Sequence, residues 1–149
     1  MSIEREIKSK FRNEHHKASV NLLYTCNWLQ EQLKKHFDRG GLTNQQYNIL
    51  RILRGSDAPL STLKIRERML DKMSDTSRIV DRMVAKGLVD KKANTIDKRL
   101  VDITIAQKGL ELINWLDNFS GDVDGTMQNL SDEEVKLLNN LLDKVRDIE

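Results

Sequence analysis

The residues that could do chemistry fall at four places in this chain. His15 and His16 are adjacent, and Cys26 is the only cysteine. The segment SDTSR at 74–78 offers hydroxyls, a carboxylate and a guanidinium, and DKR at 97–99 offers a carboxylate followed by two cations. Neighbouring helical side chains point about 100° apart, so His15 and His16 make a poor metal chelate. A lone cysteine can form neither an internal disulfide nor a CxxC-type zinc site, and it fits a reducing compartment. There is no Ser-His-Asp set, no phosphate-cradling glycine loop and no paired-carboxylate constellation. Nothing supports an enzyme, a metal or a cofactor. What remains is binding chemistry, carried by hydroxyls and cations.

The charge balance says where. The formal net charge is only +2, yet residues 61–99 hold eleven basic and six acidic side chains, a local +5 that leaves the rest of the chain at −3. A basic middle between acidic flanks suits an anionic partner for the middle alone. A solvated charged surface is the alternative on charge by itself.

The elements that position these residues follow from periodicity. At 149 residues the chain suits one domain with its own core. Residues 3–37 place Ile3, Ile7, Phe11, Ala18, Leu22, Leu29, Leu33 and Phe37 at spacings of mostly three and four, with Cys26 as a small apolar filler. That predicts one long helix with a narrow stripe, suited to packing on another helix, including one from a second subunit. Gly40-Gly41 ends it, and Thr43 with Gln46 has capping-box spacing for a helix that ends near Gly55. Ser61 caps a next helix that buries Leu63 or Ile65 and Met69. A helix over 74–86, capped by Asp71 or Ser74, turns Ile79, Val80, Met83 and Val84 inward and ends at Gly87. In 91–105, Val101, Ile103 and Ile105 alternate with Asp102 and Thr104, which predicts a half-buried strand paired with the residues before Lys91. A helix over about 107–118 follows, then a polar stretch. Ser131 and Glu134 then box a last helix carrying Val135, Leu138, Leu141, Leu142, Val145 and Ile148. Two helices joined by a short turn and followed at once by a hairpin make a winged helix. The fold class is thus mainly α with a small β-hairpin, and the outer helices, with apolar faces the monomer does not cover, form a dimerisation layer.

Three segments in order then resemble the MarR family of bacterial winged-helix regulators. LTNQQYNIL at 42–50 is similar to the helix after the family's long first helix. SRIVDRMVAKGLV at 77–89 is similar to its recognition helix, and DKRLVDITIAQKG at 97–109 resembles its wing signature. Asp97, Arg99 and Gly109 fall in register, while Ala106 stands where the family has a capping Thr; Thr104 or Gln107 can help there. The resemblance spans about 5–147. It implies a single domain over 1–149, with a DNA-binding winged helix at about 42–105 and dimerisation helices at about 3–37 and 107–148. It also implies a cytoplasmic homodimer on a pseudo-palindromic operator, acting as a ligand-responsive repressor. Each recognition helix would enter a major groove and each wing tip a minor groove.

Carried onto this chain, the DNA-binding residues are Ser61, Thr62 and Lys64 at one helix start, Ser74, Asp75, Ser77, Arg78 and Arg82 on the recognition helix, and Lys98 and Arg99 at the wing tip. Asp81 and Asp97 would brace the wing, Asp81 by holding an arginine. Asp75 could accept from a cytosine amino group, cap the helix or orient Arg78. Many family members hold a small aromatic or phenolic effector between the dimer layer and the winged helix, which here would use Trp28, Tyr24 and Tyr47. In the peroxide-sensing branch the reactive cysteine lies upstream of the first tyrosine, where this chain has Lys17-Ala18-Ser19-Val20. No membrane span and no targeting segment are expected. The rival from another class is a winged-helix protein-interaction module without DNA binding, against which the basic balance of 61–99 argues.

Overall fold

The computed structural model describes residues 2–147. Helix α1 spans Ile3–Ile7, α2 Glu14–Asp38, α3 Asn44–Arg54, α4 Thr62–Arg68 and α5 Thr76–Ala85. Strands β1, Val89–Ala93, and β2, Val101–Ile105, follow, then α6 at Gln107–Asp117, α7 at Ser120–Asp124, a 3-10 turn at Gly125–Met127 and α8 at Asp132–Arg146. No described helix is long and apolar enough to cross a membrane.

Local chemistry sets most of the boundaries. The Thr43 hydroxyl accepts from the Gln46 backbone while the Gln46 side chain accepts from the Thr43 backbone, a complete capping box, and Ser131 with Glu134 repeats it at α8. Ser61 caps α4. At the end of α5, Gly87 takes φ +70°, and the N–H groups of Gly87 and Leu88 reach back to the carbonyls of Val84 and Met83 at 2.9 Å each. That left-handed stop turns the chain directly into β1. The hairpin is antiparallel, with Val89 opposite Ile105 and Lys91 opposite Ile103.

The core lies between Phe37 and Leu116, with Ile49, Leu50, Ile65, Val80, Met83, Ile103, Ile113 and Leu116 fully buried. Each such aliphatic side chain contributes about 1.5–3 kcal/mol of transfer free energy. Ile103 also donates to and accepts from Leu60, at 2.9 and 3.0 Å, so β2 is hydrogen-bonded on both edges. This connector-to-wing bridge fixes the hairpin against the helix pair.

Several sequence expectations need correction. The long helix over 3–37 is broken. Lys8 adopts φ +50° after α1, and Asn13 restarts the helix by accepting from the His16 N–H at 2.9 Å. Helix α1 then folds back on α2 through the Glu4–Lys17 ion pair at 2.6 Å and the Tyr24 hydroxyl donating to Glu6 at 3.2 Å. In one straight helix Glu4 and Lys17 would lie about 20 Å apart. Neither Asp71 nor Ser74 caps the recognition helix; Asp75 does. Leu63 and Val84 face solvent, because Ile65 and Val80 occupy the core positions of their turns. Cys26 is exposed on α2 rather than buried. The polar stretch after Gly121 is α7 and the 3-10 turn. Helix α6 starts at Ala106 with no side-chain cap, so neither Thr104 nor Gln107 replaces the missing hydroxyl. Ile148 lies outside the described residues.

The outer helices bury little. Leu22 and Leu23 of α2 are exposed, and α8 has no buried residue, with Leu137, Leu141 and Val145 all more than half exposed.

Gly109 is the tightest joint. A Cβ there would sit 2.2 Å from the Leu88 carbonyl oxygen, which already accepts from Ala106. Gly109→Ala is therefore expected to cost about 2–3 kcal/mol. Gly121→Ala, where a Cβ meets nothing within 4 Å in a helix, is expected to be neutral or slightly stabilising. Urea melts of the two variants check the contrast, and equal stabilities would contradict it.

Candidate nucleic-acid interface

The recognition-helix face is built from spacing. Residues 77, 78, 81 and 82 recur at helical intervals, so Ser77, Arg78, Asp81 and Arg82 project together on the exposed side of α5 while Ile79, Val80 and Met83 hold the inner side. Thr76 points inward and is buried, with its hydroxyl near the Met69 sulfur. Ser74 is half-buried, and its hydroxyl donates to the Asp71 carbonyl at 3.0 Å. The N-termini of α4 and α5 meet at an open notch of about 220 Å³ lined by Thr62, Leu63, Arg66 and residues 74–77. Ser61, which caps α4 by accepting from the Lys64 N–H at 3.3 Å, begins that helix, and the Lys64 side chain is exposed. Each of the two helix N-termini at this notch has one N–H already capped, by the Ser61 hydroxyl and by the Asp75 carboxylate.

The wing tip is held by two polar side chains. Asn94 accepts from the N–H groups of Ile96 and Asp97 at 2.9 and 2.8 Å, and its amide donates to Asp102 at 2.9 Å. Asp97 accepts from the Arg99 N–H at 3.0 Å, and its carbonyl accepts from Leu100 at 2.9 Å. Asp97 thus shapes the backbone of the tip, leaving the side chains of Lys98 and Arg99 exposed. Asn94 was not singled out in the sequence; its clue is the preference of Asn for turning back on its own backbone.

The wing is tied to the recognition helix by Lys91, whose ammonium sits 2.8 Å from the Asp81 carboxylate. Asp81 therefore holds a wing lysine, not an arginine, and Lys91 is spent on that contact. Lys86, at the end of α5, donates to the Gly41 carbonyl at 3.1 Å and likewise serves the fold.

Tyr24, Trp28 and Tyr47 do not converge. Tyr24 is engaged with Glu6. Tyr47 stacks on Phe37, with ring centroids 4.0 Å apart and 18° between planes, and burial raises its hydroxyl pKa. Trp28 instead lines a cleft of about 420 Å³ between α2 and the 3-10 turn, with Lys35, His36, Arg39, Asp122 and Asn129 among its walls. Arg39 pairs with Asp122 at 2.5 Å and stacks over the Phe119 ring at 4.8 Å. His36 is buried and its Nδ1 has no hydrogen-bond partner among the described residues. The cleft unites two ends of the chain, so spacing along α2 alone did not reveal it. Sequence offered only the basic last turn of α2.

Residues 42–101, from just before α3 through the start of β2, match the model of the MarR family. The chain is 27% identical over 119 residues to the HTH-type transcriptional regulator MhqR of Bacillus subtilis strain 168, covering 78% of this chain and 81% of that protein. It is likewise 27% identical over 138 residues to MgrA of Staphylococcus aureus, covering 89% of this chain and 92% of that protein. In fold it superposes with a TM-score of 0.82 on a cysteine-to-serine mutant of MarR from E. coli in complex with operator DNA, at 23% identity, over 92% of this chain and 99% of that one. The chain shares the winged-helix fold of that structure.

The buried His36 gives a pH expectation. Burial first, and the Arg39 charge second, lower its pKa below the ordinary value of 6.5. The unfolded chain takes up that proton at a higher pH than the folded chain does, so stability falls as pH drops below about 6.5. Thermal melts between pH 7.5 and 5.5 are expected to show a larger loss for the wild type than for His36→Phe. Identical pH dependence in both would contradict this role for the imidazole.

Proposed function

We propose that this chain is a homodimeric, sequence-specific DNA-binding transcriptional regulator, acting as a ligand-responsive repressor on a pseudo-palindromic operator. The observation that carries the reading is the joining of two exposed cationic features. Arg78 and Arg82 project from the outer face of α5, and Lys98 and Arg99 from the wing, with the Asp81–Lys91 pair holding helix and wing together. A helix fits the major groove, and a narrow basic loop reaches the next minor groove. In this reading Ser77 and Arg78 meet base edges. Arg82, Lys64, Ser61, Thr62 and Ser74 meet phosphates, the last through its backbone because its hydroxyl is engaged. Lys98 and Arg99 enter the minor groove or hold its phosphates.

The dimer rests on the exposed apolar faces of α2 and α8, which the chain cannot cover by itself. The effector rests on the Trp28 cleft, whose size lies in the range of small-molecule sites. Its indole and imidazole suit a small aromatic or phenolic molecule, with Lys35 at the edge and Arg39 already paired with Asp122. Such a ligand would lie at the base of α2, where it can shift the spacing of the two winged units and so the fit to two half-sites.

Titration against a mixed-sequence 30-bp duplex at two salt concentrations tests the DNA reading. Binding is expected to weaken steeply with salt, with a log–log slope of about −0.9 per phosphate contact, and Arg99→Ala should lower affinity and reduce that slope by about one at unchanged melting temperature. Flat or absent binding would favour a protein-interaction module. For the dimer, Leu137→Glu with Leu141→Glu is expected to sediment as a monomer and to lose most DNA affinity. A stable dimer of that double variant would refute the assignment of α8.

A further inference from the structure

Asp75 is an unexpected residue on a face offered to DNA. Its side chain is 59% exposed at the very start of α5, and phosphates would repel it. Capping does not require it, since an uncharged Ser, Thr or Asn caps as well. Its two oxygens are divided between two tasks. Oδ1 accepts from the Arg78 backbone N–H at 3.3 Å, and Oδ2 lies 3.1 Å from the Arg78 Nε. The Arg78 side chain is 80% exposed, and among the described residues nothing engages its two terminal amino groups. An exposed pair three residues apart adds little stability. What it does fix is direction: a guanidinium held through Nε presents its far end as a two-donor fork. That fork matches O6 and N7 of guanine in the major groove, the pairing by which Arg is most often base-specific.

Building on the DNA-binding reading above, we propose that Asp75 is a positioning residue that touches no base: it holds Arg78 by Nε so that the terminal fork reads one guanine in each half-site, and it cancels the charge by which a free Arg78 would bind any phosphate. Selectivity is thereby gained at the expense of general affinity. The adjoining notch at the starts of α4 and α5 leaves open space beside residues 74–77 for the base edge.

Asp75→Ser keeps an N-cap hydroxyl and removes the partner of Nε, so it separates capping from positioning. Wild type, Asp75→Ser and Arg78→Ala are each used to select duplexes from a randomised 30-bp pool, and the enriched sites are sequenced. Each protein is then titrated on the wild-type consensus and on unselected duplex across a salt series. For Asp75→Ser the preference for one guanine per half-site is expected to fall about tenfold or more, at the position that Arg78→Ala also loses. Its affinity for unselected duplex should hold or rise, with a salt slope steeper by up to about one. A cap-only role predicts the opposite pattern: both affinities fall together, the melting temperature drops and the selected site is unchanged. That outcome overturns the proposal. So does loss of a cytosine preference at a position Arg78→Ala leaves intact, which would make Asp75 a direct base reader. If the wild type enriches no sequence and binds no duplex, the DNA reading itself fails. Wild-type enrichment with an unaltered Asp75→Ser site fails this inference alone.

Discussion

The structure depends on how Ile103 is held. It is fully buried, it exchanges two backbone hydrogen bonds with Leu60, and it sits opposite Lys91 in the hairpin. One strand residue therefore locks the connector before α4, the wing and the core into one register. Shifting β2 by a single residue would turn Ile103 to solvent and carry Asp102 inward, so the register is strongly specified. Because Lys91 lies across from Ile103 and pairs with Asp81 on α5, the same lock sets the angle between wing and recognition helix. Everything the site presents is referred to that joint.

The fold was legible where local chemistry and global packing agree. Thr43 with Gln46 and Ser131 with Glu134 are capping boxes in sequence and in structure, and Gly87 is the left-handed stop its place after an apolar run suggests. Alternation at 101–105 named the strand and its buried face. The break after α1 was not legible, because Ile7 and Phe11 continue the helical spacing straight across it. The deciding features are Lys8 in a left-handed conformation and the fold-back contacts of Glu4 and Glu6, which no periodicity encodes. Helix α7 was hidden by Gly121 and Gly125, whose low helix propensity reads as a loop.

The candidate site divides in the same way. Ser77, Arg78, Lys98 and Arg99 stand out by type and register, and they are exposed where a winged helix would use them. Ser74 and Thr76 look equivalent in sequence, yet the turn before α5 spends one hydroxyl on Asp71 and buries the other. Tyr24 and Tyr47 are aromatic residues in the right neighbourhood whose partners, Glu6 and Phe37, are visible only once the chain has folded. The Trp28 cleft joins the last turns of α2 to residues 122–129, a meeting that depends on how α6 and α7 return across α2. Side chains committed to the fold and side chains left free can share a residue type, and burial and hydrogen bonds separate them.

The central claim is that the outer face of α5 and the wing tip act as one DNA-binding surface. Amide hydrogen exchange of the full chain, with and without a 30-bp duplex selected by the protein, tests it most directly. Slowed exchange on DNA binding is predicted at 61–64, at 74–82 and at 94–100 together. Protection confined to α2 and α8, or to only one of α5 and the wing, would contradict the account.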